Sequence, residues 1–274
     1  MDAPELAGYA RRPERLGSMF SAISWRYDFL NALMSLGQDG AWRRALVASI
    51  PRGARVLDLC CGSARSSAPA FERTGRRVIG VDVSFAMLER GRDWTARQGA
   101  GFDPVHGDGF RLPFRNATFD VVTAAFGLRN LVPLPAAAEE IQRVLVPGGR
   151  FLALDSVAPA GAFAPVHALY LRHVVPLLGR LSPDPAAYRY LSASIFDFGT
   201  PSVVAARLAA AGFTDVRARP LMLGAVAILE GTRGNSLSPQ DARHGDIVQS
   251  GVHAGKSAQA AMRAAAESTV PETP

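Results

Sequence analysis

The run Arg55-Val56-Leu57-Asp58-Leu59-Cys60-Cys61-Gly62-Ser63-Ala64 is rich in branched apolar residues, stops abruptly at small ones and is followed by helix formers. That order reads as a buried parallel strand, a tight turn and a helix start. In open α/β sheets the binding crevice lies outside the carboxyl ends of the strands. Small side chains at Cys60, Gly62, Ser63 and Ala64 let backbone N–H groups approach a ligand there. A glycine turn alone is common in βαβ units that bind nothing. Support comes from the next strand, Arg77-Val78-Ile79-Gly80-Val81-Asp82, whose terminal acid lies about 20 residues past the turn, where a carboxylate accepts from ribose hydroxyls. The dinucleotide fingerprint G-x-G-x-x-G is broken by Cys60 and Arg65 at its first and third glycines, which disfavours NAD.

Working outward, the strand–helix alternation continues. A helix leads to Gly75, and another runs from the N-cap type residue Ser84 to about Gln98. Strands follow at Asp103–His106 and Phe119–Ala125, and Asp108 falls on the same rim as Gly62 and Asp82. A carboxylate there accepts from an exocyclic amine such as adenine presents. A helix over Pro135–Val146 ends in Pro147-Gly148-Gly149, and a fifth strand covers Arg150–Asp155. Residues 156–200 form an apolar, proline-punctuated insertion, placed where substrate-covering elements sit. A helix over Ser202–Ala211 and two runs, Asp215–Leu221 and Gly224–Leu229, spaced for an antiparallel pair, close the domain.

Before the first strand, Met19, Phe20, Ile23, Tyr27, Leu30, Leu33 and Met34 repeat at helical steps, and a second helix spans Trp42–Ile50; together they are expected to cap the strand end. Residues 1–17 read as flexible, 18–230 as one α/β domain, and 231–274 as a disordered tail rich in Gly, Ala, Ser and Pro.

At 274 residues and 48% hydrophobic content the chain buries one substantial core. Its two cysteines, Cys60 and Cys61, are neighbours and cannot staple distant segments, which points to a reducing cytoplasm. No stretch reads as a signal peptide or a spanning helix. The net charge of +6 belongs to the body, since 231–274 holds four basic and four acidic residues. The excess favours an anionic surface. With no helix-turn-helix, RNA signature or aromatic-interleaved basic patch, nucleic acid is not expected and membrane phospholipid is.

Several motifs carry a resemblance: Met19-Phe20-x-x-Ile23-Ser24-x-x-Tyr27-Asp28-x-x-Asn31, Val56-Leu57-Asp58-Leu59-Cys60-Cys61-Gly62, Leu112-Pro113-Phe114, Phe126-Gly127-Leu128-Arg129-Asn130, Pro147-Gly148-Gly149 and Tyr188-x-Tyr190-Leu191-x-x-Ser194-Ile195. Over about Ser18 to Glu230 the chain resembles the S-adenosylmethionine-dependent C-methyltransferases of ubiquinone and menaquinone biosynthesis. The glycine turn and Pro-Gly-Gly are generic to class I methyltransferases; Phe-Gly-Leu-Arg-Asn and Tyr-x-Tyr-Leu are more particular. The resemblance implies a seven-stranded Rossmann-like sheet, an N-terminal helical cap and an insertion after the fifth strand. It implies S-adenosylmethionine contacts at Ser63, Asp82, Asp108, Gly109 and Ala125, with Asp58 and Gly62 in the same turn.

The implied reaction methylates a ring carbon of a demethylated prenyl quinol and needs no metal. Tyr27, Arg129 and Asn130 would face the substrate. An arginine keeps its proton at neutral pH, so Arg129 is assigned to the developing oxyanion. His106, His167 and His173 are rival bases. The implied partners are the lipophilic quinol and an anionic membrane surface, with a homodimer left open; the implied location is cytoplasmic, peripheral on the inner face of the membrane. Two other readings stand beside this one: a paralogue methylating another phenolic or polyketide metabolite, and a non-catalytic subunit of a quinone-synthesis assembly.

One departure stands out. Where the family usually reads Gly-Thr-Gly-Asp, this chain has Gly62-Ser63-Ala64-Arg65, expected to place a methyl beside the cofactor and a cation in the first turn of a helix. Arg65 is expected to answer that positive end by clamping the carboxylate of the cofactor's methionine moiety.

Overall fold

The computed structural model describes residues 35–180 and 185–235. Seven strands form one sheet: β1 (Val56–Leu59), β2 (Val78–Asp82), β3 (Phe102–His106), β4 (Phe119–Ala125), β5 (Leu145–Ser156), β6 (Phe213–Leu221) and β7 (Val226–Arg233). Their spatial order is β3-β2-β1-β4-β5-β7-β6, all parallel except β7, which runs antiparallel to both neighbours. The strand order reverses between β1 and β4, the switch point at which such sheets open a crevice.

Strand residues alternate between two covered faces. Leu57, Leu59, Val122, Phe151 and Ala153 point to one core. Val56, Val121, Leu152 and Leu154 point to the other. The first core is roofed by α4 (Leu134–Val144) and α8 (Pro201–Ala210). The second is covered by α1 (Asp39–Val47) and α2 (Ser67–Thr74). α1 therefore packs Trp42, Leu46 and Val47 on a sheet face; only its first turn, at Asp39 and Trp42, reaches the rim that a cap would cover.

The expected punctuation is where the chain turns. Gly75 closes α2 in the left-handed region at φ 71°. The Ser84 hydroxyl accepts from the Met87 amide at the start of α3 (Phe85–Arg97), a cap contributing about 1 kcal/mol. β7 runs on through Gly231, Thr232 and Arg233, so the sheet takes three residues from the segment expected to be tail.

The insertion after β5 is helical: α5 (Ala164–Leu169), a π-turn (Tyr170–Val174), α6 (Val175–Gly179) and α7 (Pro185–Phe198). Its buried anchors include Leu171, Val175, Tyr188 and Tyr190, while Val166, Leu169 and Leu177 stay exposed. The expected helix around Met19–Met34, with Tyr27 on it, lies outside the described residues, as do residues 1–17 and 236–274.

Candidate active site

At the switch point the ends of β1, β2 and β4 frame a cleft lined by Gly62, Ser63, Arg65, Asp82 and Ala125, all expected there, and by Asn130, which was expected to face the substrate. Backbone geometry sets its shape. Cys60, Gly62, Ala64 and Phe126 all have φ between 51° and 63°, and for the three non-glycine residues this left-handed conformation costs on the order of 1–2 kcal/mol each. Gly127 has no alternative: a Cβ there would lie 2.3 Å from the Cys60 Cβ.

The Asp82 carboxylate accepts from the Gly62 and Ser84 amides, each at 2.8 Å, and so ties the β1 turn to the start of α3. Two of its roughly four lone-pair directions are used. Burial pushes its pKa above the ordinary value, with the Ser84 and Gly62 amides pulling the other way.

Asp108 and Gly109 follow β3 on the same rim but do not line the cleft; Asp108 accepts from the Phe110 amide at 3.0 Å. Asp58 stands apart as well. It is buried beneath the turn, accepting from Ser67 (2.6 Å) and Thr123 (2.9 Å), which joins β1 to α2 and β4. Burial raises its pKa, and the Ser67 and Thr123 hydroxyls and the Arg43 cation oppose that. Its position is that of a brace under the turn.

Two expectations about the altered turn are corrected. The Ala64 methyl points away from the cleft into a small core with Cys61, Leu88 and Phe102. Gly91 of α3 makes the room: a Cβ built on Gly91 would come within 3.0 Å of it. Arg65 precedes the N-cap Ser66 and so lies before the first turn of α2, and its guanidinium stacks on Trp94 with Cζ 4.8 Å from the ring centroid.

Four carboxylates act on Cys60 at the end of β1. The Cys60 thiol is held well above its usual pKa by burial first, then by the charges of Asp82, Asp155, Asp58 and Asp108. The field that disfavours a thiolate there favours a cation bound in its place.

Phe126 is shared between the cleft and a second cavity of about 340 Å³ under the insertion, walled by Trp42, Val166, Leu171, Leu191 and Val226. Arg129 lines this cavity, and Asn130 lines the cleft. Arg129 is fixed by fully buried Asp155: Nη1 donates to Oδ1 at 2.5 Å and its backbone amide to Oδ2 at 3.1 Å. Tyr190 of α7 donates its hydroxyl to Asn130 Oδ1 at 3.0 Å, and burial pushes the phenol up to about 12. Accepting at Oδ1 turns the amide so that its NH₂ group is directed elsewhere.

Of the three histidines, His167 alone lines the apolar cavity, and burial lowers its pKa, so it is neutral at neutral pH. His106 contacts the Val83 carbonyl at 3.0 Å and packs edge-on against Phe85; His173 is exposed on the π-turn.

Arg43, Asp155 and Tyr190 were not among the expected site residues. Arg43 lies beside Trp42 on the helix face shared with Leu46 and Val47, a signal present in the sequence. Asp155 looks like any strand-end acid until Arg129 is placed above it. Tyr190 belongs to a quoted motif, but nothing in the spacing names its partner.

Residues 10–233 match the ubiE/COQ5 methyltransferase family. A demethylmenaquinone methyltransferase of Streptomyces griseus is 38% identical over 234 residues, covering 83% of this chain and 98% of that protein. The ubiquinone/menaquinone biosynthesis C-methyltransferase UbiE of Desulfotalea psychrophila is 40% identical over 220 residues, covering 78% and 89%. A SAM-dependent methyltransferase structure from Thermotoga maritima superposes with a TM-score of 0.56 at 16% identity, covering 79% of this chain and 99% of that one, and shares the fold. By the length and identity of these matches, the chain belongs to the ubiE/COQ5 methyltransferase family.

Proposed function

We propose that the protein transfers a methyl group from S-adenosylmethionine to a ring carbon of a demethylated prenyl quinol, with the naphthoquinol precursor of menaquinone ahead of the benzoquinol. The observation that carries this reading is the junction at Phe126, where an electronegative nucleotide-type cleft meets an apolar cavity with a buried arginine in its wall. The names of the relatives support the same substrate class.

The residues that line the cleft suit the cofactor chemically. Asp82 would accept from ribose hydroxyls, the backbone at Gly62 and Ser63 would lie close to the group, and the carboxylates around Cys60 would suit a sulfonium. When bound, the group supplies an electrophilic methyl. Ring attack requires an electron-rich ortho or para oxygen, and Arg129, clamped by Asp155, stabilises charge on that oxygen without giving up its own proton. Asn130, oriented by Tyr190, positions the ring against the methyl. Neutral His167 and Asp39, both on the cavity wall, are the groups that can accept the released proton. Arg65, which lines the cleft and stacks on Trp94, would be a further cofactor contact through its guanidinium.

The cavity opens through an apolar surface. Leu36, Val166 and Leu223 line it and are 72%, 68% and 69% exposed; Phe163 lines it too, and Leu169 and Leu177 are exposed on the insertion. Arg172 and Arg180 are exposed on the same insertion. This surface rests on anionic lipid, from which the prenyl tail enters. Among the described residues no helix is long and apolar enough to cross a membrane. Mass spectrometry of quinones from a bacterial host lacking its own enzyme tests the reading. Restored methylnaphthoquinone is expected. Unchanged demethylquinone in cells that hold the folded protein would favour another phenolic substrate or a non-catalytic role.

A further inference from the structure

The cleft poses an electrostatic problem for the ligand proposed for it. Its carboxylates attract a sulfonium, but the same field repels the carboxylate at the methionine end of S-adenosylmethionine. Arg43 and Arg65 are the cations among the residues lining the cleft.

We propose that Arg43 is the principal partner of that carboxylate, an inference that rests on the cofactor reading above. Arg43 is 7% exposed, an unusual state for an arginine without a full set of partners. Its Nη1 donates to Ser66 Oγ at 2.9 Å, and its guanidinium carbon sits 5.1 Å from the centre of the Phe126 ring. Nε is buried with no hydrogen-bond partner among the described residues; it forms an ion pair with the Asp39 carboxylate at 3.7 Å, beyond hydrogen-bond distance, which leaves the N–H itself unsatisfied. Asp58 feels this cation, but its own oxygens accept from Ser67 and Thr123.

A buried, charged N–H left unmade is costly, and at the wall of a ligand cleft it marks where an anionic oxygen belongs. A second feature converges on the spot. Ser66 is the N-cap residue of α2, and its hydroxyl makes no cap hydrogen bond, being held by Arg43 instead. The amide end of α2 therefore adds its partial positive charge beside the guanidinium. Arg65 is less buried and already stacked on Trp94, which suits a secondary contact.

The test is calorimetry on the full chain with S-adenosylhomocysteine and with S-adenosyl-3-thiopropylamine, its decarboxylated analogue. In Arg43→Gln, S-adenosylhomocysteine should bind roughly tenfold or more weakly, the effect of losing a contact to a charged group, and the decarboxylated analogue within about twofold of the parent. Arg65→Gln should show a smaller selective loss. Equal weakening of both ligands would make Arg43 a purely structural residue and overturn the inference, as would no weakening of either. If the parent protein binds neither ligand, the cofactor reading fails and takes the inference with it. Should Arg43→Gln not fold, Arg43→Lys keeps the charge but loses the planar fork. The same selective loss is then expected, and an unselective one refutes the assignment.

Discussion

Removal of Asp155 exposes how the site is held. This side chain is fully buried, and its oxygens accept from Arg129 Nη1 (2.5 Å), the Arg129 amide (3.1 Å) and the Ser156 amide (2.9 Å). Asp155→Ala leaves a guanidinium that is 6% exposed without its counter-ion and orphans the two amides. Breaking a buried ion pair from one side costs about 3–5 kcal/mol. For a domain of this size that is a melting shift of roughly 6–20 °C, at about 2–4 °C per kcal/mol. Urea denaturation of Asp155→Ala should show this loss at an unchanged m-value. The double variant Asp155→Ala/Arg129→Met should recover at least half of it, because the uncompensated charge has gone, while remaining inactive. A cost below about 1 kcal/mol for Asp155→Ala, or no recovery in the double variant, would refute the idea that Asp155 carries Arg129.

Three further outcomes are expected. Tyr190→Phe leaves Asn130 Oδ1 buried without its 3.0 Å donor, so stability should fall by about 1–3 kcal/mol and turnover by more than the change in cofactor affinity; equal falls in both would tie Tyr190 to the cofactor rather than to the ring. Gly91→Ala pushes a methyl to 3.0 Å from Ala64 and 3.1 Å from the Gly62 carbonyl, both beneath the β1 turn, and should cost about 1–3 kcal/mol together with S-adenosylhomocysteine affinity; a neutral result would mean the turn yields easily. Asp120 is held below its ordinary 3.8 by hydrogen bonds from Arg55 at 2.7 and 3.1 Å. A carboxylate with a lowered folded pKa adds stability present above the unfolded value and lost as pH falls through the folded one. The pair is over one-third exposed, so Asp120→Asn should cost only about 0.5–1 kcal/mol at neutral pH, and the gap to the parent should close as the pH falls below 3.8. A gap that persists in acid would assign the effect to packing.

The fold was legible because buried parallel strands carry unbroken apolar runs and their helices carry punctuation at Gly75 and Ser84. The cleft at the switch point was legible for a similar reason: a small-residue turn and an acid at the end of the neighbouring strand need only spacing to be recognised. What the sequence hid were side-chain directions. A left-handed Ala64 sends its methyl to Gly91, 27 positions away and on another element, and no local pattern records that pairing. Asp58 reads as part of the cofactor turn until Thr123, its register partner on β4, takes one oxygen. Arg43 shares the apolar face of α1 with Leu46 and Val47, which the helical spacing records, but that this face brings it to the cleft depends on how α1 lies against the sheet. The π-turn at Tyr170–Val174 has no sequence signature, yet it places Tyr170 and Leu171 on the cavity wall.

Methyl transfer to a prenyl quinol ring can be followed directly. The direct measurement incubates the purified full chain with S-adenosylmethionine labelled in its methyl group and reduced demethylmenaquinone in anionic vesicles, then locates the label in the extracted quinone by mass spectrometry. One labelled methyl on a ring carbon is expected, absent with Arg129→Met and strongly reduced with Asp82→Ala. A protein that binds S-adenosylmethionine but places no label on either the naphthoquinol or the corresponding benzoquinol ring would contradict methyl transfer to a quinol.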